Sequence, residues 1–498
     1  MYVAWNTGVP GTWYPMVHAG CNHNELRALS LRALRLNPSP DEPLEGFMRD
    51  VILSLKRIFR RYGGERWSYL ETAQSYTGAL RRRYLEAELS LRTDGPLEKR
   101  DWKLVAFLKS EKLDVATKYS KPRMIFPRSP RYNLSLASFL KPLEHWLWGY
   151  MTGRRLFGGS KTRVVAKGLN QRQRGNLIAK KFKSLEDCVV FEVDGKAFEA
   201  HCDEWLLLIE HSFYDAAYDN ADLRALLRKQ LILSGVTTGG IKFSRSGGRA
   251  SGDFNTGMGN SLIMTVVVVS VLRHFKIPFD VLVDGDNALV FMRGRDADRV
   301  VRDFTSLAFR CSGFEMVLER PVSVLEGIRF GQCAPVWCSG GWLMVRDYRK
   351  VLSGACASHK NLNQPAFVGR YLRGVALCEL SLARGLPVLQ SWAKALLDAT
   401  DGSRAVHADM YRDYQVLGVD TLGVLSGWED AGSVRLDRVQ AETRVSFYRA
   451  FGLTPEAQVG IEQRFQAPTR WVEWSPEDGV EHAGVMNARP GLVEARFA

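Results

Sequence analysis

The sequence predicts an α+β chain, and three observations carry that prediction. Short apolar runs of β type stand at 188–193, 279–283 and 288–292. Stretches with helical character stand at 204–214 and 260–275, and 351–465 reads as mainly helical. The last two β runs flank Asp284-Gly285-Asp286-Asn287, whose composition is that of a tight turn, so these two strands are expected to form an antiparallel hairpin.

Length and composition bound the function. The 498 residues correspond to about three domains' worth of chain. A hydrophobic fraction of 46% with 11% aromatics excludes disorder over most of it. Lys plus Arg number 68 against 54 acids, a net charge of +14. That surplus points to a polyanionic partner, nucleic acid or an acidic membrane face; a basic surface serving solubility alone fits it too. The eight cysteines form no C-x-x-C pair and the nine histidines have no finger spacing, so a zinc site or disulfide framework is not expected and a reducing compartment fits best. The longest apolar run, 261–272, has about 12 residues, against roughly 20 needed to cross a bilayer. The N-terminus lacks the basic and apolar regions of a signal peptide. Neither secretion nor a membrane span is expected.

The cations are unevenly placed. Residues 151–185 hold ten basic residues and no acid: Arg154, Arg155, Lys161, Arg163, Lys167, Arg172, Arg174, Lys180, Lys181 and Lys183. The stretch reads as a phosphate-contacting surface, or as a solvated basic face. Residues 236–259, rich in Gly, Ser and Thr, read as a loop, and the last thirty or so residues as a loose tail.

Three local patterns carry chemistry. Asp194 closes the 188–193 run and Asp286 sits in the tight turn, so a strand end and a hairpin present two carboxylates. Such a pair suits hard divalent cations, which take oxygen ligands and keep waters and phosphates; an Asp-Gly pair also serves simply as a turn. Ser251-Gly-Asp-Phe-Asn-Thr256-Gly-Met-Gly-Asn260 is a glycine-rich loop running into a helix. Its hydroxyl and amide groups can read a sugar hydroxyl while backbone amides face phosphate, and the same residue types cap helices. Lys121-Pro-Arg123-Met-Ile-Phe-Pro-Arg128-Ser-Pro-Arg131 is a Pro-punctuated segment whose alternating cations form a fork for a triphosphate, or a solvated basic loop.

In this order the three patterns resemble one family. The chain is similar to viral RNA-dependent RNA polymerases, most closely the tombusvirus-like group. Residues 121–144 resemble that group's motif F, and Asp194-Gly-Lys-Ala-Phe-Glu199-Ala-His201 its motif A, D-x-S-R-F-D-x-H. Residues 249–264 resemble motif B, Gly285-Asp286-Asn287 motif C, and 329–346 motif E. Segments at 17–26, 76–84 and 107–112 are similar to the group's N-terminal segments, so the resemblance spans about residues 17 to 352.

The resemblance implies a right-hand polymerase whose palm is an antiparallel sheet with helices on one face. Residues 1–185 would form an N-terminal extension and fingers, 186–209 palm, 210–248 a fingers insertion, 249–352 palm, 353–465 a mainly helical thumb and 466–498 a tail. It implies template-directed RNA synthesis from NTPs, in viral genome replication and transcription, by two-metal-ion nucleotidyl transfer. Asp194 and Asp286, with Asn287 beside them, would hold two Mg²⁺ ions, with Mn²⁺ as the alternative metal. Lys121, Arg123, Arg128 and Arg131 would line the triphosphate path. Glu199, Ser251, Thr256 and Asn260 would check the ribose 2′-OH. Arg154, Arg155, Lys161, Arg163 and Lys167 would grip template phosphates. The implied partners are RNA template, nascent RNA, NTPs and a viral upstream-frame replication protein; through that protein the enzyme would reach membrane-associated replication complexes in the host cytoplasm.

The chain departs from the group at two acids. Glu199 replaces the second Asp of motif A, and its extra methylene moves the carboxylate by roughly one bond where about 1 Å matters. Asn287 replaces the last Asp of GDD, keeping a carbonyl ligand and losing a charge, so weaker metal binding is expected. GDN is also the motif C of nonsegmented negative-strand polymerases and of the ambiguivirus-type fungal virus polymerases, which the chain resembles most specifically. Asp284 either supplies the missing charge or points away. No Lys lies between Cys311 and Ile328 for a motif D general acid; Arg310 and Arg320 are nearby but Arg is a poor acid, so that role stays unassigned. Two other readings are a catalytically silent polymerase-like RNA-binding protein, suggested by Glu199 and Asn287, and a reverse-transcriptase-like polymerase, disfavoured by the S-G-x-x-x-T-x-x-x-N pattern.

Overall fold

The computed structural model describes residues 1–37, 44–114, 120–358, 361–362, 364–427 and 436–466, with short strands between 469 and 497. The helices that position the site are α1 (Asn22–Ala28), α2 (Leu44–Phe59), α3 (Pro130–Tyr150), α4 (Gln171–Lys183), α5 (Glu204–Tyr218), α6 (Thr256–His274) and α7 (Gly294–Ser312). The strands are β1 (Leu104–Leu108), β2 (Met124–Ile125), β3 (Cys188–Gly195), β4 (Ile232–Thr237), β5 (Lys242–Ser246), β6 (Phe279–Asp284), β7 (Asn287–Arg293), β8 (Met316–Leu318), β9 (Cys333–Cys338) and β10 (Gly341–Arg346). Helices and strands are thus mixed along the chain, as the patterning predicts.

The first sheet is antiparallel, in the order β8-β3-β7-β6. The apolar runs become strands because both sheet faces are buried, which calls for continuous rather than alternating hydrophobicity. Phe191, Val193, Val281, Val283, Val290 and Met292 pack on α6 and α7, which α2 covers from outside. Val190, Leu282, Leu289 and Phe291 pack on Ile178 of α4 and Met344 of β10. The resemblance implies helices on one face; here the second face is covered as well. Phe291 is fully buried, a contribution of roughly 1.5–3 kcal/mol. The β6–β7 register pairs Asp284 with Asn287, leaving Gly285-Asp286 as the two-residue turn. Gly285 takes φ +66°, which a primed hairpin turn needs at its first central position. The free edge of β6 is covered by residues 164–166, whose backbone bonds Val283 at 2.8 Å in both directions.

The second sheet, β2-β1-β4-β5, corrects the loop expected over 236–259. β4 runs to Thr237 and β5 spans Lys242–Ser246, a hairpin whose β4 pairs in parallel with β1. The segment reads as a loop because Gly239-Gly240 and Gly247-Gly248 flank the short β5, and within β4 Gly235 is required where a Cβ would meet the Leu104 carbonyl oxygen at 2.2 Å. The inner face packs Leu104, Ala106, Met124, Leu233 and Phe243 on Ala28 and Leu29.

Helix α6 begins at Thr256, four residues before the expected start, so the glycine-rich motif supplies its first turn. It is long and apolar enough to cross a membrane by length and composition, but 83% of that window is buried inside the fold, as in a core helix. Beyond 352 the described chain is mainly helical, with Pro365–Ala383, Leu389–Ala399, Ala441–Phe451 and Pro455–Gln466 around their own core. Trp5 from the N-terminus stacks on Trp392 there, ring centroids 6.2 Å apart. In the expected loose tail, Thr469–Glu473 pairs with Val493–Phe497, and two short strands pair with Tyr2–Val3 and Val17–His18. Glu481–His482 pairs with Val485–Met486, and the rest of 467–498 lies outside the described residues.

Candidate active site

The site forms where β3 ends beside the β6–β7 turn. Asp194, exposed at that end, is the register partner of Asn287, and the Gly195 N–H donates to the Asp286 carbonyl oxygen at 3.2 Å. The Gly285 N–H donates to Ser261 Oγ of α6 at 2.9 Å, so the turn is pinned from both sides. The Asp286 carboxyl is pushed above its ordinary value by burial and then by the charge of Glu199. Glu192, two residues before Asp194, is pushed up to about 7 by burial and by the charges of Asp194 and Glu319. Acids are gathered here at an electrostatic cost, a mark of functional sites.

Cations face the acids from the other side. Arg123 reaches Glu199 at 3.8 Å and Glu111 at 3.3 Å. Arg32 is held below the usual arginine range by burial and by Arg123, against the opposing pull of Glu199, Glu111 and Asp286. Sequence reasoning missed Arg32, Glu111 and Glu192, which stand outside the chemistry-bearing motif positions. Arg32 lies in a π-helical turn, Leu29–Ala33, a local irregularity frequent at functional sites.

Glu199 and Asn260 meet through Arg249. The Arg249 backbone N–H donates to the Glu199 carbonyl oxygen at 2.9 Å, and its Nε to Asn260 Oδ1 at 3.0 Å. Arg249 is itself held by Glu210, beneath which Asn255, Gln230, His211 and Tyr214 close a buried hydrogen-bonded cluster. Full burial alone would raise the Glu210 carboxyl; Arg249 more than offsets this and holds it below the usual range. Ser251 donates to the Met124 carbonyl oxygen at 3.3 Å, which ties the loop to β2. Thr256 Oγ1 donates to the carbonyl oxygens of Ala250 and Asp253, at 3.0 and 2.8 Å, so its hydroxyl fastens the loop to the start of α6.

The expected phosphate contacts divide. Of the triphosphate fork, Lys121 is exposed and Arg123 faces Glu199. Arg128 is 5% exposed, its Nε bonded to Asp253 at 2.7 Å and its Nη1 to the Trp102 carbonyl oxygen at 2.5 Å. Arg131 is spent on Asp101, Ser90 and the carbonyl oxygens of Gly95 and Pro96. Both correct the fork: their cations fall where α3 starts and fasten it to neighbouring segments.

The acid-free segment divides in the same way. Arg154, Arg155 and Lys161 are exposed. Arg163 instead donates to the carbonyl oxygens of Val165 and Lys167, at 2.7 and 2.5 Å. Lys167 and Arg174 clamp Asp284 at 2.8 and 2.5 Å, and the fully buried Lys181 holds Asp280 at 3.0 Å. The reason is the edge pairing of 164–166 with β6: the segment lacks acids because its partners are the two acids of β6. Asp284 therefore does not supply the charge missing at Asn287; burial would raise its carboxyl, but Lys167 and Arg174 hold it below the ordinary range.

The donor set fits a hard divalent cation. Asp194, Asp286 and Asn287 offer oxygen only, and the repulsion around Asp286 is what a cation would relieve. Among the described residues no three His, Cys, Asp or Glu gather into a closed cage. A cation here would complete its shell with water and phosphate oxygens, the habit of Mg²⁺ rather than of a structural metal.

Antiparallel sheet, carboxylate turn and facing arginines thus meet at one place, where the sequence motifs set them. The family described as viral RNA-dependent RNA polymerase matches residues 7–471, and the chain belongs to it. The match extends well past 352, where the motifs end. Among its curated relatives is the RNA-directed RNA polymerase of Tobacco necrosis virus (strain A), 33% identical over 78% of this chain and 52% of the relative. That of Tomato bushy stunt virus (strain Cherry) is 31% identical over 95% of this chain and 57% of the relative. That of Turnip crinkle virus is 29% identical over 89% and 56%. The chain spans about half the length of the curated relatives it matches. The resemblance read from the motifs is thus borne out at the level of the family.

Proposed function

We propose that the chain synthesises RNA on a viral RNA template from NTPs. The observation that carries this reading is the pinned Gly285-Asp286 turn beside Asp194, with acids on one side and Arg123 and Arg32 on the other. Asp194, Asp286 and the Asn287 carbonyl oxygen would hold two divalent cations. Those ions, when bound, lower the pKa of the attacking hydroxyl and neutralise the departing pyrophosphate.

The chain's own residues do the rest. Arg123 and Arg32 orient the triphosphate, with Lys121 at its entry. Glu199 and Asn260, held in register by Arg249, line the ribose and select for its 2′-OH. Arg154, Arg155 and Lys161 contact template phosphate. The layout that follows has fingers over 1–185 and 210–248, palm over 186–209 and 249–352, and thumb over 353–465. The GDN turn supports a place among the fungal-virus enzymes that share it.

The test is incorporation of labelled NTPs on a single-stranded RNA template, wild type beside Asp286→Ala, in Mg²⁺ and in Mn²⁺. The expected result is a loss of at least about 10³-fold with RNA binding retained. Undiminished incorporation by Asp286→Ala would overturn the reading.

A further inference from the structure

We propose that the outward face of the β2-β1-β4-β5 sheet is a track for single-stranded RNA. The inner face is buried on α1; the outer face is open. Val105 and Phe107 of β1 are 53% and 42% exposed, and Ile232 at the far end of β4 is 56% exposed. The register sets Val105 beside Val236 and Phe107 beside Ile125, so these side chains form one apolar strip. An exposed strip of this kind on a folded chain marks a binding surface.

Charge identifies the occupant. Lys103 precedes β1 on the alternation of Val105 and Phe107, Lys109 follows it, and Lys242 stands opposite Val236. Among the outward positions of the four strands none is acidic. An aromatic and aliphatic strip rimmed by cations is how single-stranded nucleic acid is held: bases stack on the strip and phosphates follow the rim. The strip is also continuous with the site. The Lys109 N–H donates to the Arg123 carbonyl oxygen at 2.8 Å, both side chains reach Glu111, and Arg123 goes on to Glu199. A strand leaving the carboxylate turn past Arg123 therefore meets Phe107 next. The inference rests on the polymerase reading for the identity of the ligand as RNA.

The experiment is fluorescence anisotropy with a labelled, unstructured oligoadenylate, without NTPs, on wild type, Phe107→Ser, Phe107→Leu and Phe107→Trp. Loss of one base stack is expected to weaken Phe107→Ser and Phe107→Leu by about tenfold, with Phe107→Trp at or above wild type. Ultraviolet cross-linking of a thiouridine-bearing RNA to the wild-type chain is expected to mark the peptide containing Phe107, and needs no variant to fold. Equal affinity in all four proteins, or cross-links confined to other peptides, would overturn the proposal. So would self-association of the wild type that Phe107→Ser abolishes, which would make a second copy the occupant. Binding is read without catalysis, so an inactive site and a mistaken track give different results.

Discussion

Two clusters of ionisable groups lie side by side, joined by Arg249. In the inner one, Glu210, Arg249, Asn255, Gln230, His211 and Tyr214 satisfy one another out of water. In the outer one, Asp286 and Glu199 crowd together, and their carboxylates face a half-exposed arginine. The difference separates structure from function. Where the fold supplies its own counter-charge, the group fastens elements; where it leaves negative charge standing beside a pinned turn, an outside cation is called for. Asp284 and Asp286 make the same contrast two residues apart, one clamped by Lys167 and Arg174 and one left raised.

The contrast can be broken at the inner cluster first. Arg249→Met strands Glu210 in the interior and is expected to cost about 3–5 kcal/mol of stability, read by denaturant titration. A loss below about 1 kcal/mol would mean the cluster is not the tie it is drawn as. Acid should act next, through His211. Burial holds its imidazole down at about 4, against the pull of Glu210 and the Gln230 bond and with the push of Arg249, whereas the unfolded chain protonates it near 6.5. The unfolded state thus binds more protons between those values. Stability present above about 6.5 should fall by roughly 3 kcal/mol as the pH drops to 4, and a His211→Gln variant should show a correspondingly shallower acid slope.

The outer cluster sharpens the comparison with smaller effects. Asp284→Asn removes the partner of two cations and is expected to cost about 1–2 kcal/mol of stability. Because Asp284 is already neutralised, the Mg²⁺ concentration giving half-maximal incorporation should not move. Asn287→Asp adds a charge on the open side, and that concentration should fall about three- to tenfold. If the two variants exchange these behaviours, the assignment of charge around the turn is wrong.

Much of this arrangement is legible in the sequence. Asp284-Gly285-Asp286-Asn287 between two apolar runs reads as a tight hairpin, and the Asp194 strand end lies where its run stops. Three things are not legible. β5 hides in an expected loop because Gly239-Gly240 and Gly247-Gly248 bracket it, and glycine signals turns. Arg128 and Arg131 read as ligands because local spacing cannot show that Asp253 and Asp101 wait beside them. Arg32 reads as nothing, because it reaches the site only when the π turn Leu29–Ala33 packs beside Phe198–His201, the segment that carries Glu199.

The pairing of the 151–185 segment with β6 bears on how this protein will respond to salt. Counterion release scales with the phosphates a protein neutralises, not with the cations it contains. Three of the ten cations in the segment, Lys167, Arg174 and Lys181, are held by Asp280 and Asp284, which balance two of those three charges. For single-stranded RNA the slope of log affinity against log salt should therefore be shallower, by about 1.4, than the segment's composition suggests. Part of a strongly basic chain's charge is internal mortar, and it will not be felt by the polyanion outside.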